Sequence, residues 1–198
     1  MQQGKPHRPR RRQPSHELHL TRRLLLEHSP DGREMPERVL RYARNHSCVT
    51  HWEELLCVAI NTKVSHVMAV AGIHQPDGYS SVVNNHDSRE FVRFFIDWGR
   101  GEGYQPIGMA DFAVGDTPTG QAGARLPYHQ LVTARFDEDR YWDSVLDGIQ
   151  PQACAVLSWH QPPPAHAAFR PVFGNVVESR IRTESIKEIM ALYEQPPM

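Results

Sequence analysis

Nothing in this chain approaches the roughly 18 consecutive apolar residues that a membrane-crossing helix needs. The three arginines Arg10 to Arg12 are followed only by the short patch Leu24 to Leu26, too little for a signal-peptide core. Cysteine is scarce as well. Cys48, Cys57 and Cys154 are an odd number without CxxC spacing, which argues against a secreted disulfide framework and points to a reducing cytosol. Cys57 and Cys154 fall inside apolar segments, where a free thiol is expected to act as a small buried hydrophobe. The reading is a soluble cytoplasmic protein with no membrane partner.

Motifs for common chemistries are missing too. The sequence contains no H-x-H or H-E-x-x-H among its twelve histidines, and no Gly-x-Ser-x-Gly around Ser158. Gly99, Gly101 and Gly103 lead through Tyr104-Gln105-Pro106 into an apolar segment. A phosphate loop would open a helix there, so a tight hairpin turn is the better account.

What the chain has is rhythm. Short apolar segments recur from Glu53 to Arg182, most alternating apolar with polar and closed by Gly, Pro, Asn or Asp. Alternation with period two puts successive side chains on opposite faces of a strand. The fold class read from this is mainly β, an antiparallel two-sheet β-sandwich with a short N-terminal helix and a C-terminal helix. Strands are expected at 55–60, 67–73, 91–98, 107–114, 128–136, 153–159 and 172–181, with a weak one at 79–83. The segment 91–98 places Val92, Phe94, Ile96 and Trp98 on one face, and Phe91, Arg93, Phe95 and Asp97 on the other. Exposed, it would be an aggregation hazard, so it belongs in the centre of a sheet. The acidic stretch Asp137-Glu138-Asp139 is expected to end a strand, and 142–149 to form a helical turn or loop.

Four regions follow. Residues 1–17 form a disordered basic arm, and 18–51 an N-terminal extension in which 18–26 is a strand or helical turn and 36–44 a short basic helix. Residues 52–183 form the β-sandwich domain. Residues 184–198 are a C-terminal helix and tail, where Ser185 and Glu188 fit a capping box ahead of Ile186, Ile189, Met190 and Tyr193. Charge is polarised along the chain. Residues 1–44 hold eleven Lys/Arg against five Asp/Glu, and the remainder eleven against eighteen. A basic arm on an acidic body suits self-association or an anionic partner.

Candidate contact residues are Arg8, Arg10, Arg11 and Arg12 of the arm, which suit phosphates, together with Trp159, His160, Pro162, Pro163, Pro164 and Phe169. The last six sit on a stiff proline connection, either a preformed contact surface or a crossover with Trp159 in the core. Weak metal candidates are His86, Asp87, His129, His160 and His166. Asp97 and Asp111 are a conceivable acid–base pair. The sequence commits to no catalytic residue, metal or cofactor.

The segments 53–58, 78–80, 90–98 and 155–159, with the three prolines and Phe173-Gly174-Asn175, resemble a family of uncharacterised bacterial proteins. That resemblance covers about residues 52–182 and implies a bacterial β-rich domain, without transferring any activity. The function expected is a non-enzymatic protein-interaction or scaffold module of the bacterial cytosol, capable of self-assembly. Alternatives are a His/Asp-based metal-dependent hydrolase, or nucleic-acid binding through the arm.

Overall fold

A computed structural model describes residues 18, 20–23, 41, 45–61, 64–79, 88–116 and 128–181. Among them the chain is mainly β. Seven strands run β1 (Glu53–Asn61), β2 (His66–Ile73), β3 (Ser88–Asp97), β4 (Tyr104–Val114), β5 (Tyr128–Arg135), β6 (Gln152–Trp159) and β7 (Val176–Arg180), with helix α1 (Glu138–Leu146) between β5 and β6. They form two antiparallel sheets, a three-stranded one ordered β1-β2-β5 and a four-stranded one ordered β4-β3-β6-β7.

The alternating pattern sets which side chains enter the core. Leu55 and Val58 of β1, Val67, Ala69 and Ala71 of β2, and Val132 of β5 share one cluster with Val92, Phe94 and Ile96 of β3 and Ala153, Ala155 and Leu157 of β6. Residues of both sheets therefore belong to one apolar cluster. Each large side chain buried there is worth about 1.5–3 kcal/mol over exposure. As its two apolar faces require, β3 lies inside its sheet between β4 and β6. Its second face is covered too, because Phe95, Cys154 and Val156 pack with Tyr104, Ala167, Phe169 and Val176. The proline connection thus lies over that sheet's outer face, and Arg93 Nε donates to Pro163 O at 2.7 Å. Burial in this layer pushes the Cys154 thiol up to about 11.

The glycine-rich link between β3 and β4 is the expected turn, with Gly99, Gly101 and Gly103 at φ of 75°, 83° and 68°. Asn175 joins the sheets at one edge. Its side-chain amide accepts from Leu55 N–H at 2.7 Å and donates to Leu55 O at 3.0 Å, beside the bulge at Leu56.

Four expectations are corrected. Cys57 is exposed, because the bulge between Leu55 and Cys57 turns it away from the core. The acidic stretch after β5 opens a helix rather than only closing a strand. Asp137 Oδ1 accepts from the N–H groups of Asp139 and Arg140, and acidic residues in the first turn complement the positive end of the helix dipole. The last strand starts at Val176, four residues later than expected, because residues 171–174 pair with Cys48 and Val49 instead. Asp97 and Asp111 do not meet. Their β partners are Tyr104 and Phe91, six residues (roughly 20 Å) apart along the ladder, and Asp111 pairs with Arg89. The 36–44 and 184–198 helices, the arm and the 79–83 strand beyond Tyr79 lie outside the described residues, apart from a helical Arg41.

Gly174 gives a direct test of this architecture. It has φ of 102°, and a Cβ added there would strike the Leu157 carbonyl oxygen. Gly174→Ala should cost on the order of 2–3 kcal/mol through backbone strain and this clash, read as a lower urea midpoint with an unchanged slope.

Candidate functional site

The buried charges of this protein gather at one end of the two sheets. Glu53 opens β1 and Glu90 lies in β3, both fully buried, and Arg22, 1% exposed, enters from the helical residues 20–23. Arg22 Nη1 and Nη2 donate to the two Glu53 carboxylate oxygens, each at 2.9 Å. Arg22 Nε donates to Gly78 O at 2.9 Å, and Nη2 stands 4.0 Å from Glu90 Oε1.

Four aromatic rings enclose the guanidinium. Its central carbon lies 4.6 Å from the ring centre of Trp52, 5.0 Å from Tyr79, 4.2 Å from Trp159 and 5.2 Å from Phe173. A cation over a ring face gains about 0.5–2 kcal/mol, more when water is excluded. The rings hold one another. Phe173 stands edge-on between Trp52 and Trp159, and the Tyr79 hydroxyl donates to Trp52 O at 2.7 Å. Asp116 Oδ1 accepts from Tyr79 N–H at 2.7 Å. Leu18, one helical turn before Arg22, packs on the same aromatic cluster.

One cation faces two carboxylates, and this sets where the proton sits. Burial raises both glutamates above the ordinary range. The Arg22 fork offsets part of this at Glu53, which stays raised, whereas at Glu90 the nearby Glu53 charge adds to burial and drives its carboxyl well above 4.5. Neither Glu90 oxygen has a hydrogen-bond partner. The cluster is neutral when Glu90 keeps its proton beside an ionised Arg22–Glu53 pair. Burial and the neighbouring carboxylates also raise Tyr79.

Of the residues singled out from the sequence, Trp159 is part of this cage and 5% exposed. Trp159 thus lies in the core, but the expected crossover between sheets is corrected: the proline connection joins β6 to β7, neighbours in one sheet, and covers the outer face of that sheet. His160 follows with φ of 65°, its N–H bonded to Arg89 O. Pro162, Pro164 and His166 are exposed, Pro163 is buried and Phe169 half-buried. His129 is exposed on β5, in the three-stranded sheet, whereas His160 and His166 follow β6 of the other sheet. Among the described residues no three His, Cys, Asp or Glu side chains gather as metal ligands. Arg8, Arg10, Arg11, Arg12, His86 and Asp87 lie outside the described residues.

A second feature lies on the outer face of the three-stranded sheet. Cys57, Val70 and Leu131 are paired across it in one row, and Ala59, Met68 and Thr133 in the next. Leu131 is 57% exposed and Leu56, at the bulge, 45%. No charged residue enters these two rows. Glu54, Gly72 and His129 bound them at one end, and Asn61, His66 and Arg135 at the other.

No family model matches the chain, and no curated protein does. Among solved structures, the chain is similar to a β-glucosidase from Kluyveromyces marxianus in complex with glucose, at 5% identity and a TM-score of 0.31. That likeness covers 67% of this chain and 14% of the enzyme chain. A protein from Archaeoglobus fulgidus is similar at 11% identity and a TM-score of 0.33, over 68% of this chain and 97% of that one. Likenesses this distant say nothing of function. No helix among the described residues is long and apolar enough to cross a membrane.

The buried cluster generates two predictions. Arg22→Ala leaves Glu53 charged and unpaired in an apolar site, so unfolding free energy should fall by about 3–5 kcal/mol in urea titrations. Glu90→Gln should act oppositely. The unfolded chain releases the Glu90 proton as pH rises through about 4.5 while the folded protein holds it, so native stability drains away above that pH. The glutamine variant lacks this loss. Its melting temperature should match the parent near pH 4 and exceed it increasingly towards pH 8; a constant offset would refute the assignment of the proton.

Proposed function

We propose that the protein is a non-enzymatic interaction or scaffold module. In this reading its two sheets face each other as a β-sandwich, and it associates with a second copy of itself through the outer face of β1-β2-β5. The observation that carries the reading is the asymmetry between the two outer faces. The four-stranded sheet is covered by the proline connection, whereas the three-stranded sheet presents Leu56, Cys57, Val70 and Leu131 without charge, between polar rows. An apolar patch with a polar rim is the usual anatomy of a contact surface.

The buried carboxylates support the same reading, because Arg22 and four aromatic rings fill the space that a substrate would need. Three free cysteines suit a reducing compartment such as the bacterial cytosol. The size of the face sets the strength expected. Three strands about 4.8 Å apart and eight residues long present roughly 400 Å², half of what each partner gives in a standard interface. The association is therefore weak and concentration-dependent.

Sedimentation over a range of protein concentrations tests it. The parent chain should shift reversibly from monomer to dimer, and Leu131→Lys should remain monomeric with an unchanged melting temperature. Salt separates this face from the basic arm as the contact. An apolar contact holds or tightens at high ionic strength, whereas an arm lying on an acidic body lets go. A parent chain that is monomeric at every concentration would refute the proposal.

A further inference from the structure

Beyond self-association, we propose that the cage around Arg22 is a binding site for an arginine presented on a helix, with residues 18–23 as its resident, exchangeable ligand. The ligand class is a basic peptide segment carrying a leucine and an arginine four positions apart. Its source is another protein, or the same segment supplied in trans.

The walls of the site belong to the body of the protein. Trp52 precedes and Glu53 begins β1, Tyr79 follows β2, Glu90 lies in β3, Trp159 ends β6 and Phe173 precedes β7. Contacts that do not involve Arg22 hold these walls: Tyr79 to Trp52 and Asp116, Phe173 between two tryptophans, and Val49 bridged to Phe173. Among the described residues of the N-terminal segment, Leu18 and Arg22 reach the aromatic cluster. The described residues 20–23 are helical and belong to neither sheet, so the occupant is not one of the strands that build the walls.

The geometry also states the specificity. Two parallel bonds to Glu53, a third from Nε to Gly78 O and ring faces around a flat cation fit a guanidinium. An ammonium ion can form neither the fork nor the stack. The unpartnered Glu90 carboxyl, fully buried beside the guanidinium, leaves room in the hydrogen-bonding scheme for a differently placed donor. An occupant carried on the same chain binds intramolecularly, so an outside peptide competes poorly until the resident side chain is removed.

The experiment uses the full chain carrying Arg22→Ala and a fluorescent synthetic peptide of residues 15–28. The expected result is saturable binding by the variant and binding at least about tenfold weaker by the parent chain, whose cage is filled. A peptide with Arg22→Lys or Arg22→Ala should bind the variant at least about tenfold more weakly, whereas Leu20→Ala, at an exposed position, should bind within a few-fold. Adding Glu53→Gln to the variant should abolish the preference for arginine. A folded variant that ignores the peptide, or binds the alanine peptide equally well, overturns the proposal. Should Arg22→Ala unfold the chain, millimolar peptide must restore its near-ultraviolet circular dichroism. Failure to do so would make Arg22 a fixed part of the core and overturns it equally.

Discussion

One end of this protein is organised by one electrostatic constraint, which is that two fully buried glutamates, one on a strand of each sheet, require a cation. Glu53 and Glu90 are placed by strand parity, and neither side chain reaches water. Without Arg22, that end would hold acid groups that are either charged at great cost or protonated well above their ordinary range. A single guanidinium answers one carboxylate through a fork, and the second adapts by keeping its proton. The aromatic walls follow from the same need. They keep water out while still offering electron density to the cation.

This arrangement ties a remote part of the chain to the body. Leu18 and Arg22 share a helical face, one adding apolar area and the other supplying the charge. The order of the sequence matters less here than its chemistry, since the segment lies 31 residues before Glu53 and reaches it through space. A contact of this type is specific rather than strong. Burying an ion pair returns little net stability against an apolar replacement, but it excludes side chains without the matching fork.

Much of the fold was legible in the residues. Alternation in β1 and β2 and the two apolar faces of β3 led to the right elements, and β3 took its place inside a sheet. Cys57 was misread because a bulge shifts parity by one residue, which no local pattern announces. Residues 137–139 do follow the end of β5, but the helix they open was not read from them, because acidic residues both terminate strands and cap helices. The buried cluster was missed although a signal existed. Glu90 has the parity of Val92, Phe94, Ile96 and Trp98, and a glutamate in an inward row demands a partner. Nothing local could name Arg22 as that partner, since spatial pairing of distant residues leaves no periodic trace.

The two sheets solve their outer faces differently, and this difference carries the functional argument. One face is sealed within the chain: the link from β6 to β7 folds over Phe95, Cys154 and Val156, and Arg93 fastens it at Pro163. Stiff proline geometry makes such a cover inexpensive in entropy. The other face carries Leu131 and Leu56 exposed, at positions accessible enough to hold a charged side chain. Edges and faces of sheets usually carry charge where contact must be prevented. Here charge is kept to the bounding rows at Glu54 and Arg135, which frame the apolar centre and leave it available for contact.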